Sequence, residues 1–107
     1  MIDKLNEISE KLDLWNIAKT NAMQWIENEG LDEIRQDPKF SKVVLSDIEF
    51  IKKKQSLIFW NCELGKTYIL RTEYVLKITN GSEDTEGYYS YDIDENGDFF
   101  EEWLRFK

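Results

Sequence analysis

Apolar residues Ile2, Leu5, Ile8, Leu12, Trp15, Ala18, Ala22, Trp25 and Ile26 recur every third or fourth position. This stripe of an amphipathic helix predicts helix over residues 2 to 28. Asp13, just ahead of Leu14 and Trp15, is a capping residue type and marks a candidate break between residues 12 and 15. Gly30 suits the left-handed residue that ends a helix. Leu31 to Asp37 can add a short turn before Pro38, which disfavours helix at Asp37. The predicted helical region is therefore 2 to 37.

From Phe40 onward the chain turns to β-branched and aromatic residues, and the period falls to two. Tyr68 to Ile78 is the clearest strand, with Tyr68, Leu70, Tyr74, Leu76 and Ile78 on one face. Val43 with Leu45, then Ile48 with Phe50, alternate with a phase change at Ser46 and Asp47 that predicts a bulge. Leu57 to Cys62 is nearly continuously apolar, as in a central strand or a hairpin partner, and Lys52, Lys53, Lys54 and Gln55 are read as the exposed connection before it. Asn80-Gly81 and Asn96-Gly97 are hairpin signals flanking Gly87 to Asp94, in which Tyr89, Tyr91 and Ile93 share the core face. Phe99 to Phe106 follows an Asn-Gly turn and is read as a strand. The expected fold is α+β: one or two N-terminal helices packed on an antiparallel sheet of four or five strands over 40 to 107, in one domain spanning residues 1 to 107.

Composition narrows the chemistry. The 107 residues include no histidine, the usual neutral-pH general base, triad partner and metal ligand. The single Cys62, beside Glu63 and with no base nearer than Lys66, suits a buried inert thiol better than a nucleophile or a zinc site. The first ten residues hold no apolar run resembling a signal peptide, and no stretch approaches the roughly 18 apolar residues of a membrane span. A cytoplasmic location without membrane contact is expected. The formal charge of -8 disfavours direct nucleic-acid binding and favours basic partners.

That charge is uneven. Residues 1 to 40 carry 5 basic and 9 acidic groups, 41 to 79 carry 7 and 4, and 80 to 107 carry 2 and 9. The C-terminal acids are interleaved with aromatic residues, which reads as a docking face built from Tyr88, Asp92, Asp94, Glu95, Asp98, Glu101 and Glu102. Carboxylates would steer a cationic partner while aromatic anchors supply contact energy. The competing reading is a solvated sheet edge with its acids there for solubility.

Asp92 to Gly97 matches the opening of a calcium-binding D-x-[DN]-x-[DN]-G loop, but Trp103 stands where the closing bidentate Glu is required. A hairpin whose aspartates bond the turn backbone explains the same residues, and no metal or cofactor is expected. Asp92 and Asp94 share a strand face, whereas the adjacent Glu101 and Glu102 point to opposite faces. Such acid pairs arise by chance among 22 acids, so no enzymatic activity is expected. Lys52 to Lys54 read as a solubilising loop.

In size, acidity, lack of histidine and helix-then-sheet order, the chain resembles the immunity proteins that bacteria make against their own contact-dependent or polymorphic toxins. The resemblance implies an inhibitor that binds a cognate toxin, frequently a basic nuclease domain. The helix followed by a curved sheet is also similar to the cone-shaped nuclear-transport-factor-like fold, which implies a ligand pocket lined here by Trp15, Trp25, Phe59, Trp60 and Tyr74. A third reading is an acidic nucleic-acid mimic that inhibits a DNA-binding enzyme.

Overall fold

The computed structural model describes residues 2–59 and 68–106, with side chains from Glu7 onward. Trp60, Cys62, Glu63 and Lys66 lie outside the described residues. The N-terminal stripe forms α1 (Ile2–Leu12) and α2 (Leu14–Trp25), divided at Asp13 as the sequence suggested. The break is a left-handed kink with φ 52, a conformation that Asp tolerates better than most residues, and the Asp13 side chain makes no cap hydrogen bond.

Gly30 does not end a helix in the left-handed region. It has φ -65 and closes a π-helical turn, Ile26–Gly30, that runs into α3 (Leu31–Ile34). A Cβ there would stand 3.4 Å from the side chains of Ile26, Leu104 and Phe106, an ordinary packing distance. Beyond α3, the Asp37 carboxylate accepts from Lys39 N at 3.0 Å and caps the 3-10 turn Pro38–Phe40.

The expected strand and bulge around Val43 to Asp47 are replaced by a loop and a second 3-10 turn, Leu45–Asp47. Asp47 accepts from Val44 N at 2.9 Å, and that side-chain bond gives the backbone an alternative to a ladder. Val43, fully buried, pins the loop to the core.

The sheet consists of β1 (Ile48–Phe59), β2 (Tyr68–Asn80), β3 (Glu83–Asp94) and β4 (Phe99–Phe106), in that spatial order and antiparallel throughout. The fold is α+β, with four strands among the described residues. Lys52, Lys53 and Lys54, read from sequence as a connection, lie inside β1. Lys52 opposes Tyr74 and Lys54 opposes Glu73, so Lys53 is a bulge. The period-two signal fails there because the bulge breaks the alternation. Both hairpin signals fall at turns. Asn80 pairs with Glu83, so the first loop is Gly81-Ser82 rather than Asn80-Gly81. Only Gly81 has positive φ, as a turn with glycine in its first central position requires. The second loop is Glu95 to Gly97, with Gly97 at φ 84.

One sheet face carries the helices. Leu14, Ala18, Ala22 and Ile26 are buried against Leu70, Tyr74, Leu76, Ile78 and Tyr89. The two alanines let the helix backbone approach closely. Gln55 Nε2 donates to Ser9 Oγ at 2.7 Å and to Thr72 Oγ1 at 3.2 Å, tying α1 to the sheet through two buried hydroxyls. Gly87 lies opposite Phe106, where a Cβ would come within 2.9 Å of the ring and 3.0 Å of the Arg105 carbonyl. Gly87→Ala should therefore destabilise by about 1–3 kcal/mol by overpacking, read as a lower urea midpoint with unchanged slope.

Candidate functional site: the open sheet face

Strand geometry builds the second sheet face row by row. Alternation on β2, β3 and β4 sets Val75, Tyr88 and Arg105 side by side, then Glu73, Ser90 and Trp103, then Arg71, Asp92 and Glu101. Among the described residues no helix covers these rows. Trp103 is 57% exposed, and an open cleft of about 440 Å³ is lined by residues of the first two rows together with Lys53, Glu33 of α3 and the helix-facing Leu104 and Phe106. Lys53 Nζ stands 5.4 Å from the centroid of the Tyr88 ring, a cation–π contact across β2. Lys54 pairs with Glu73 at 3.8 Å.

The third row is an ion pair with its acid buried. Arg71 Nε donates to Asp92 Oδ1 at 2.9 Å and Nη2 to Oδ2 at 3.0 Å, a bidentate fork. The Asp92 side chain is 1% exposed and that of Arg71 is 35%. The hydrogen bond to Asp92 raises the Arg71 pKa above its usual value against the opposing effect of burial, and the charges of Asp92, Glu73 and Glu101 add to the rise. Both Asp92 oxygens are engaged inside the protein.

The structure thus divides the seven residues singled out in sequence. Tyr88, Asp92 and Glu101 share the open face, with Tyr88 Oη 3.4 Å from Glu86 Oε2. Asp94, 5% exposed, is part of the second turn, where its Oδ1 accepts from Asn96 N at 2.9 Å and Asp98 N at 3.1 Å. Glu95 and Asp98 stand at that hairpin tip. Glu102 faces the helices and accepts from the buried Tyr89 hydroxyl at 2.6 Å. The aspartates of the calcium-like motif therefore serve a turn flanked by strands. Among the described residues, no group of three or more His, Cys, Asp or Glu is placed to hold a metal ion.

Sequence reasoning did not single out Arg71, Lys53, Trp103 and Arg105 for this face. Pairing propagated from the second turn would set Ser90 opposite Glu102. A bulge at Phe100, between the pairs Ile93–Phe99 and Asp92–Glu101, moves the register by one and brings Trp103 to the open side. Of the residues named for a cone pocket, Trp15 and Tyr74 pack on each other and Trp25 packs on Tyr89. Trp15 meets Tyr74 edge to face at 5.2 Å, Tyr74 Oη donates to the Trp15 carbonyl at 2.7 Å, and Trp25 meets Tyr89 at 6.4 Å. Phe59 is 60% exposed. Set against this geometry, no protein-family model, no curated protein and no solved structure matches the chain.

Proposed function

We propose that this protein is a binding inhibitor, of the immunity-protein kind, whose partner is a cationic protein such as a toxin nuclease domain. The observation that carries the reading is the open sheet face. An uncovered tryptophan and a half-buried tyrosine share this face, in the third of the chain that holds a charge of -7 and whose far hairpin tip bears Glu95 and Asp98. Trp103 and Tyr88 are the aromatic anchors that a desolvated interface centre uses, and Asp98 and Glu101 are rim charges that raise the association rate. Asp92, Asp94 and Glu102 are held by internal bonds and support the face from within. Among the described residues no helix is long and apolar enough to cross a membrane.

The acid distribution gives a second reading some weight. Glu83, Asp84 and Glu86 lie at one hairpin end and Glu95 and Asp98 at the other, in a molecule 45 Å long. Spaced acids of that kind also suit a nucleic-acid mimic, which would compete with DNA for a basic cleft.

The test is co-expression with the product of the adjacent gene. That product alone should arrest growth, this protein should restore it, and the two should co-purify. The double variant Tyr88→Ala, Asp98→Lys should bind the partner about 10-fold or more weakly, with the loss in association rate larger at low salt. A neighbouring product that is harmless and unbound, or a folded double variant that binds unchanged at low and high salt, would sink the reading. Displacement of the partner by duplex DNA would favour the mimic.

A further inference from the structure

The two edges of the sheet differ in a way that names a second partner. β1 is guarded, with Lys52, Lys53 and Lys54 on its exposed length and a bulge at Lys53, devices that keep a foreign strand from pairing. β4 has its own bulge at Phe100 and carries Glu101, Glu102 and Arg105, but over Glu101–Phe106 its ladder is regular, it contains neither lysine nor proline, and its charges are of both signs. Its outer N–H and C=O groups are paired with no strand among the described residues.

We propose that this edge pairs with β4 of a second copy, in an antiparallel register centred on Trp103, joining two sheets into one of eight strands. The argument is self-complementarity. A two-fold axis through an antiparallel pair keeps open face with open face, so paired positions must share parity. Centring on Trp103 sets Trp103 against Trp103, Glu101 against Arg105 twice, and Glu102 against Leu104 twice. Opposite charges and aromatic rings are the favourable cross-strand neighbours. Centring one residue earlier sets Glu102 against Glu102 and leaves Arg105 facing Phe99, and centring on Glu101 opposes that acid to itself. Centring on Leu104 shortens the overlap of the β4 residues, loses both Glu101–Arg105 pairs and sets Trp103 against Arg105. Exposure fits as well, because Glu101, Trp103 and Arg105 all project from the open face as exposed side chains. The paired tryptophans would stand in the middle of a doubled open face, so the dimer is compatible with the proposed function but does not depend on it.

The experiment uses the isolated full chain, with no toxin present. Sedimentation velocity at sub-millimolar concentration and physiological salt should give twice the chain mass. Arg105→Glu sets a carboxylate against Glu101 of the other copy, and Glu101→Arg sets a guanidinium against Arg105, so each variant alone should sediment as a monomer. Mixing the two variants restores opposite charges at both contacts and should return the dimer. A monomeric wild type, single variants that remain dimeric, or folded variants whose mixture stays monomeric would overturn the proposal. Hydrogen exchange on the wild type guards against misfolded variants. Amides of 101 to 105 should gain protection as concentration rises, and their indifference to concentration would likewise overturn it.

Discussion

Arg71→Ala should destabilise the fold by about 3 kcal/mol and Asp92→Ala by only about 1 kcal/mol, although the two side chains share one bidentate contact. The asymmetry comes from burial. Removing the guanidinium leaves a carboxylate that is 1% exposed without its counter-charge, whereas removing the carboxylate leaves a guanidinium already 35% exposed, which can turn to water. Water entry through that partly open side holds the first cost at the lower end of the range for an orphaned buried charge. Against a total stability of about 5–15 kcal/mol the first loss is large. Replacing both, Arg71→Met with Asp92→Leu, should return most of it, since no buried charge then lacks a partner. Urea denaturation of the four proteins at neutral pH checks this. Equal losses in the two single variants would mean that the burial of Asp92 is not what matters.

The second large effect is a loss of stability in alkali. Tyr74, Tyr89 and Tyr91 are all buried, and burial is the leading cause that raises each phenol pKa above the ordinary value of 10. The hydrogen bond that Tyr89 donates to Glu102 and the Glu102 charge push Tyr89 further, the Asp13 charge pushes Tyr74 further, and the Glu102 charge does so for Tyr91. A phenol whose folded pKa exceeds its unfolded value contributes stability that is fully present below the unfolded pKa. That stability is lost as pH rises, because only the unfolded chain then releases the proton. Unfolding free energy should therefore be flat in this respect up to about pH 9 and fall above about pH 10, with Tyr89 contributing a slope of about 1.4 kcal/mol per pH unit. Urea midpoints measured across that range should fall more gently in Tyr89→Phe than in wild type. An identical slope in the two would show that the Tyr89 phenol ionises in the folded protein as readily as in the unfolded chain.

How far the sequence reaches is clearest at the third row of the open face. Asp92 and Asp94 were legible as residues of one strand face, and the Asp94 turn was legible because aspartate before Asn-Gly bonds its own backbone. What Asp92 does was hidden. Its partner Arg71 lies 21 positions away, and only the β2–β3 register brings the two together. The same holds for Gln55, which reaches Ser9 from 46 positions away.

The sequence by itself determined the helix-then-sheet order, the hairpins at Gly81 and Gly97, and the core face of Tyr89, Tyr91 and Ile93, and it marked residues 12 to 15 as a candidate break. Each of these is written in local conformational preference or in a period, which neighbouring residues carry between them. Tertiary structure alone decided that Lys52 to Lys54 belong to a strand, that residues 43 to 47 do not, and which residues of β4 look outward. The bulges at Lys53 and Phe100 govern the first and the last of these. A bulge moves a strand by one residue and so exchanges its faces, and whether it forms depends on how the partner strand and the core pack, which no local pattern records.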